Sequence, residues 1–262
     1  MTPEVIAAEV LGCDPASLNT ARIKGGLTNE TWRVHNEDSA VVVRISTVDE
    51  KVLQLDRANE AVVLRLVEQA DIGAEILLCA PERRLLVTRA LPAETLSLDY
   101  LHDPDVLHQV AVLLKKLHHL EVPSAVQAVN LLSVLEGYWQ TLEARRVTSN
   151  DTERELARSY AVESAQFASP CLCHHDVHHL NLMSNGQRLW LLDWEYAGLG
   201  DPLFDLASIC CYHNYDARLR EQLLQAYRGG VIRHELQRLE RMCWLFDYIK
   251  SLWMQVRQPE QS

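Results

Sequence analysis

A change of texture near Arg89-Ala90-Leu91-Pro92 constrains this chain more than any other feature. Ahead of it, residues 20–90 hold short β-branched runs: Arg33-Val34-His35, Ala40-Val41-Val42-Val43-Arg44-Ile45, Glu75-Ile76-Leu77-Leu78 and Leu85-Leu86-Val87-Thr88. Polar turn residues such as Asn36-Glu37-Asp38 separate them, so they predict antiparallel strands. One helix interrupts them, because Leu55, Ala58, Val62 and Leu66 recur at helical spacing between Asp56 and Glu68. After Pro92 the spacing turns helical. Val106, Val110, Leu113, Leu114 and Leu117 mark one face of a helix from about Asp105 to His119, and residues 131–144, 153–167, 217–228 and 235–256 read the same way. A mixed segment, Leu172 to Asp193, holds two short strands. The expected class is α+β: a small β-rich N-terminal lobe over residues 1–90 and a larger, mainly helical C-terminal lobe over 91–262, without repeats or low-complexity tracts.

The chain has 262 residues, 48% apolar and 23% charged, enough apolar material for a sizeable buried core. Its formal net charge of −11 argues against nucleic acid as a partner, since phosphate binding needs a basic footprint, and suits a cationic small molecule. No apolar run approaches the ~20 residues of a membrane helix. Met1-Thr2-Pro3-Glu4 carries no basic segment followed by an apolar stretch, so a cytoplasmic location is expected. The seven scattered cysteines, paired only as Cys171/Cys173 and Cys210/Cys211, then read as reduced thiols.

The densest polar cluster is Cys171-Leu172-Cys173-His174-His175-Asp176-Val177-His178-His179-Leu180-Asn181, followed twelve residues on by Asp193 at the end of the apolar run Leu189 to Leu192. Phosphoryl transfer on a metal–nucleotide complex needs a carboxylate for the attacking hydroxyl's proton, plus an amide oxygen and a second carboxylate to hold Mg²⁺ against the phosphates. Asp176, Asn181 and Asp193 supply that set at a spacing of loop, then strand. Two other readings use the same residues: a solvated polar loop, or transition-metal ligation, including a metal-dependent phosphohydrolase built on His175-Asp176 and remote histidines.

The N-terminal lobe offers an independent check. Gly25 and Gly26 sit in a strand–turn–strand setting where backbone can close over phosphates, although a plain hairpin uses the same turn. Arg44 is a cation inside an apolar strand, and Glu60 lies sixteen residues on, on the following helix. Kinases use a strand cation paired to a helix carboxylate to hold the α- and β-phosphates. The side chains of Arg44 and Glu60 should therefore meet.

Taken in order, these motifs resemble the aminoglycoside phosphotransferase and choline kinase superfamily, especially its bacterial choline-kinase-like and thiamine-kinase-like members. The resemblance runs from about Ile23 to Cys211; its specific parts are His174-x-Asp176-x-x-x-x-Asn181 and Leu192-Asp193-Trp194-Glu195-Tyr196 through Phe204-Asp205-Leu206-Ala207. It implies a two-lobe fold like that of protein kinases and an ATP- and Mg²⁺-dependent kinase that phosphorylates a hydroxyl of a small metabolite. Within it Asp176 would be the catalytic base, Asn181 and Asp193 the magnesium ligands, and Arg44 with Glu60 the phosphate anchor. The segment near Thr88 and Ala90 would meet adenine. The chain departs from the pattern in three places. Arg44 stands where Lys is commoner, Gly200 where eukaryotic choline kinases usually carry Asn, and His178-His179 have no account in the sequence.

For the acceptor, a cation of the choline or thiamine kind is expected; an aminoglycoside or sugar kinase shares every catalytic residue and stays open. Glu195 lies two residues past Asp193, and Trp244, Tyr248 and Trp253 roughly share a face of the last helix. Aromatic rings with carboxylates make cages for such cations, while the same stripe also serves as core. If the cage reading holds, at least one ring lines the cleft facing Asp176.

Overall fold

The computed structural model describes residues 1–24, 28–148, 150–167, 169–230 and 233–258. It opens with helix α1 (Pro3–Leu11), started by a proline in its first turn and stopped by Gly12 in the left-handed region at φ 68°. Strands β1 (Asn19–Ile23), β2 (Asn29–His35) and β3 (Ala40–Ser46) follow, then a single helical turn α2 (Glu50–Leu53) and helix α3 (Arg57–Gln69). Strands β4 (Ile76–Ala80) and β5 (Leu85–Arg89) complete an antiparallel sheet of order β1-β2-β3-β5-β4.

Strand alternation gives this sheet two different faces. Val34, Val41, Val43 and Val87 form one, buried with Ile6, Ala7 and Ala8 of α1. Leu86 looks the other way, into the main core with Val63, Leu64 and Val67 of α3. Arg44 is the β3 residue directly opposite Leu86, so alternation puts the cation on the face that α3 covers. Asp56 caps α3 by accepting from the amides of Ala58 and Asn59.

The remainder is mainly helical: β6 (Glu94–Thr95), α4 (Pro104–His118), α5 (Leu131–Ala144), α6 (Asp151–Ala165), β7 (Cys171–Cys173), β8 (Leu182–Ser184), β9 (Leu189–Leu191), β10 (Gly198–Gly200), α7 (Pro202–Tyr212), α8 (Ala217–Arg228) and α9 (Arg233–Arg257). β6, β8 and β9 form one small antiparallel sheet, β7 and β10 another. α7 is buried from Pro202 to Cys211, wrapped by α8 and α9. No helix among the described residues is long and apolar enough to cross a membrane.

The texture-based expectation of a β-rich part followed by a helical part matches this architecture. Three strands, β7, β8 and β9, occupy the segment where two were expected, and α1, α7 and β10 were not expected at all. The reason is plain for α7: a helix apolar on every side shows no amphipathic stripe.

Candidate active site

The site's loop, residues 174–181, leaves β7 and reaches β8 through a short 3-10 turn at His179–Asn181. Its backbone is set from below by Asp205 on α7. One Asp205 oxygen accepts from the amide of His174 (2.8 Å) and from His118 Nε2 (3.0 Å); the other accepts from the amide of His175 (2.7 Å). Burial works to raise this carboxyl, but the His118 hydrogen bond and the surrounding histidines outweigh it and hold the pKa at about 2. Ser208, one turn further along α7, exchanges hydrogen bonds with the backbone of Val177. His174 fixes the loop from above: Nδ1 accepts from the Asp176 amide (3.2 Å) and Nε2 donates to the Leu192 carbonyl (2.8 Å). His175 stands at φ 66° and its Nε2 would lie 2.6 Å from a Cβ placed on Gly200. That contact accounts for glycine at position 200, where a larger residue would strike the imidazole.

Asp176 stays partly exposed and is held by two further side chains. Tyr212 Oη donates to Oδ1 (2.8 Å) and His178 Nε2 lies 3.5 Å from Oδ2. Burial pushes the Asp176 carboxyl up, yet the His178 contact, with help from His174 and Tyr212, brings it below its ordinary value. Asn181 Nδ2 donates to the Asp176 carbonyl (3.0 Å). Asp193 follows β9 at φ 65°.

Next to Asp193, charges alternate. Arg44 donates through one guanidinium nitrogen to Asp193 Oδ1 (2.8 Å) and through the other to Glu60 Oε1 (2.5 Å). Arg57 donates to Glu60 Oε2 (2.8 Å), Glu195 Oε2 (3.0 Å) and Ser46 Oγ (2.9 Å). Burial and the nearby Glu195 carboxylate push Asp193 up, Arg44 pulls it back, and its pKa comes out at about 7. Arg44 and Glu60 thus meet as their strand and helix positions required.

Glu195 requires a correction. Its oxygens accept from Thr28 Oγ1 (2.7 Å), Asn29 Nδ2 (3.0 Å) and Arg57, and it is buried. It ties the β-sheet to the segment after Asp193 instead of facing an acceptor. Trp244 and Tyr248 stack on each other at 5.2 Å, with Trp244 edge-on to Tyr160 and Tyr248 accepting from Trp139 Nε1. That takes both rings into the packing of α9 on α5 and α6. Trp253 reaches the other way, and its Nε1 donates to Tyr196 Oη (2.8 Å), beside Glu195. Thr88 lies on β5 opposite Val42, and the Ala90 amide donates to the Ala40 carbonyl (3.0 Å). Gly25 and Gly26 lie outside the described residues.

Sequence reasoning missed Arg57, Tyr212 and His118, and it quoted Asp205 without a role. Asp205 had a signal, since a lone carboxylate in an apolar helix must be paired with something. Tyr212 had none.

The profile of a family described as "Phosphotransferase enzyme family" matches residues 19–241. The chain is 25% identical over 251 residues to the protein LicA of Haemophilus influenzae, covering 89% of this chain and 72% of that one. It is 32% identical over 179 residues to a thiamine kinase of Escherichia coli, covering 67% of this chain and 61% of the kinase. Among solved structures, a choline/ethanolamine kinase family protein from Mesorhizobium loti superposes with a TM-score of 0.70 at 27% identity, covering 91% of this chain and 78% of that one.

Proposed function

Since the chain belongs to the phosphotransferase enzyme family and is a small-molecule kinase, we propose that it transfers the γ-phosphoryl group of ATP to a hydroxyl of a small cationic metabolite of the choline or thiamine kind. The observation that carries this reading is Asp176, a carboxylate kept ionised at neutral pH by His178 and Tyr212, with the oxygen donors Asn181 and Asp193 on the adjoining segments.

In the reaction, Asp176 accepts the proton of the acceptor hydroxyl as its oxygen bonds to the γ-phosphorus. The bond from that phosphorus to the bridging oxygen breaks, and ADP carries the electron pair away. Arg44, oriented by Glu60 and Asp193, offers phosphate oxygens its remaining N–H groups, of which a guanidinium has five and a lysine ammonium only three. Residues 1–90 serve as the nucleotide-binding lobe, with Gly25 and Gly26 assigned to phosphate binding and Thr88 and Ala90 to the base. Residues 91–262 serve as the catalytic and acceptor lobe.

The donor set suits Mg²⁺. Asn181 spends its Nδ2 on the Asp176 carbonyl, and Asp193 gives Oδ1 to Arg44, so one hard oxygen of each is left for a cation that prefers a few carboxylate or carbonyl ligands plus phosphates. When bound, the ion neutralises charge on the β- and γ-phosphates. ATP as co-substrate and unpaired cysteines fit a cytoplasmic setting.

The acidic net charge and the names of the relatives favour a cationic acceptor. With Glu195, Trp244 and Tyr248 engaged elsewhere, Trp253 and Tyr196 are the aromatic groups assigned to it. The test measures ADP release with choline, ethanolamine, thiamine, neutral sugars and aminoglycosides at matched concentration. The expected result is a kcat/KM for one of the small cations far above that for every sugar. A neutral sugar turned over far better than all cations would replace this acceptor class while leaving the kinase reading intact.

A further inference from the structure

β7 holds a feature that phosphoryl transfer does not use. Cys171 and Cys173 are two residues apart on a strand, so both thiols emerge on one face while Leu172 enters the core. Their Sγ atoms are 3.8 Å apart. The residues opposite them on β10 are Gly200 and Gly198, which bring no side chain between the thiols and what they face. α4 packs against β7 and contributes His118, a ring nitrogen of which lies within 4.8 Å of both sulfurs. Cys173 is buried, and Cys171 is half-buried and gives a way in.

We propose that Cys171, Cys173 and His118 form a binding site for a thiophilic d¹⁰ divalent cation, of which Zn²⁺ and Cd²⁺ are the representatives.

Three observations carry it. First, two sulfurs ~2.3 Å from one tetrahedral ion stand ~3.8 Å from each other, the spacing already present. A disulfide needs sulfurs ~2.0 Å apart and Cα atoms no more than ~6.8 Å apart, at the edge of what next-but-one residues of an extended strand allow. The pair is placed to chelate rather than to cross-link. Second, His118 already has the partner that ligating histidines normally have: Nε2 donates to the Asp205 carboxylate at 3.0 Å, which fixes the proton there and leaves the lone pair on Nδ1. Tyr227 Oη, 2.8 Å from Nδ1, is the group that gives way to the ion. Third, the ligands come from separate elements, the end of α4 and one strand, which are packed in place without an ion, so little chain ordering is needed on binding.

The chemistry balances as one divalent ion taken up, two S–H bonds broken, two metal–sulfur bonds formed and two protons released.

The experiment titrates the full metal-free chain with Cd²⁺, without nucleotide, and follows the sulfur-to-cadmium charge-transfer absorption and the protons released into weak buffer. Expected are saturation at one ion per chain, about two protons per ion, displacement of the band by Zn²⁺, and a rise in Tm with either metal. Cys171→Ser, at a half-buried strand position, and Cys173→Ser should each weaken binding at least tenfold. Cys79→Ser, elsewhere in the fold, should leave the titration unchanged. If Cys173→Ser does not fold, Cys171→Ser decides alone. Absence of the band, or a band that survives in Cys171→Ser, overturns the site. Because no nucleotide is present, this outcome is independent of the acceptor and nucleotide roles proposed above.

Discussion

Two carboxylates, the fully buried Asp205 under the 174–181 loop and the half-buried Asp193 after β9, show how differently the two sides of this site are held. Asp205 sits among donors, two backbone amides and His118, and its pKa falls to about 2. Asp193 pairs with Arg44, which it shares with Glu60, beside Arg57 and its carboxylates Glu50, Glu60 and Glu195, and its pKa rises to about 7. With Glu50 on Arg57 and Arg84, four carboxylates around three guanidiniums leave that side one positive charge short. The loop side is therefore built for rigidity. The cleft side stores an electrostatic deficit that a divalent cation can make good.

The largest effect belongs to the residue the loop side exists to present. Asp176→Asn keeps the shape and removes the proton acceptor, so kcat should fall by about 10²–10⁴ while nucleotide binding survives. Steady-state kinetics beside a nucleotide titration checks it; near-normal turnover would remove Asp176 from its role.

Next comes Asp205→Asn, which strips a charge from three donors. Unfolding in urea should show a loss of about 3–5 kcal/mol, as for other broken buried pairs. The sign of the pH dependence follows from a depressed folded-state pKa. The carboxylate's stabilisation is fully present above pH 4 and is lost as pH falls toward 2. The wild type should lose stability over that window, and the variant should lose less. Equal slopes in the two proteins would contradict the account of the loop.

The smallest effect has the opposite sign and sharpens the comparison. Asp193→Asn relieves the excess negative charge, so without divalent metal at pH 8 the variant should be slightly more stable, by about 0.5–1 kcal/mol. It should also lose metal-dependent nucleotide binding. Thermal melts with and without Mg²⁺ and ATP measure both. A destabilised variant would mean that the Arg44–Asp193 pair outweighs the crowding.

The same contrast governs what could be read in the sequence. The grouping of Asp176, Asn181 and Asp193 was legible because they lie on one loop and just past the following strand. Arg44 and Glu60 were legible because a charge in an apolar strand demands a partner on the next helix. Asp205 was visible as a residue but mute as to its role, since its partners include backbone amides of a loop thirty-one residues away, and amides carry no sequence signature. Glu195 was misread because its partners Thr28, Asn29 and Arg57 are more than 130 residues distant. Trp244 and Tyr248 were misassigned because a shared helical face says which residues point together, not toward what. The β-rich part stood out through alternation, whereas α7 was hidden by uniform burial.

Asp205 also imposes an order of events on the growing chain. The amides of His174 and His175 have no acceptor from this carboxylate until residue 205 has been made, at ~5–20 residues per second a delay of roughly 2–6 s after the loop itself. α7 in turn needs α9, whose last turn reaches Arg257, to cover its apolar sides. The β-sheet of residues 19–89 can pair long before that. The centre of the site is thus among the last parts of the molecule to take shape, and recovery of turnover on refolding should lag behind recovery of strand signal.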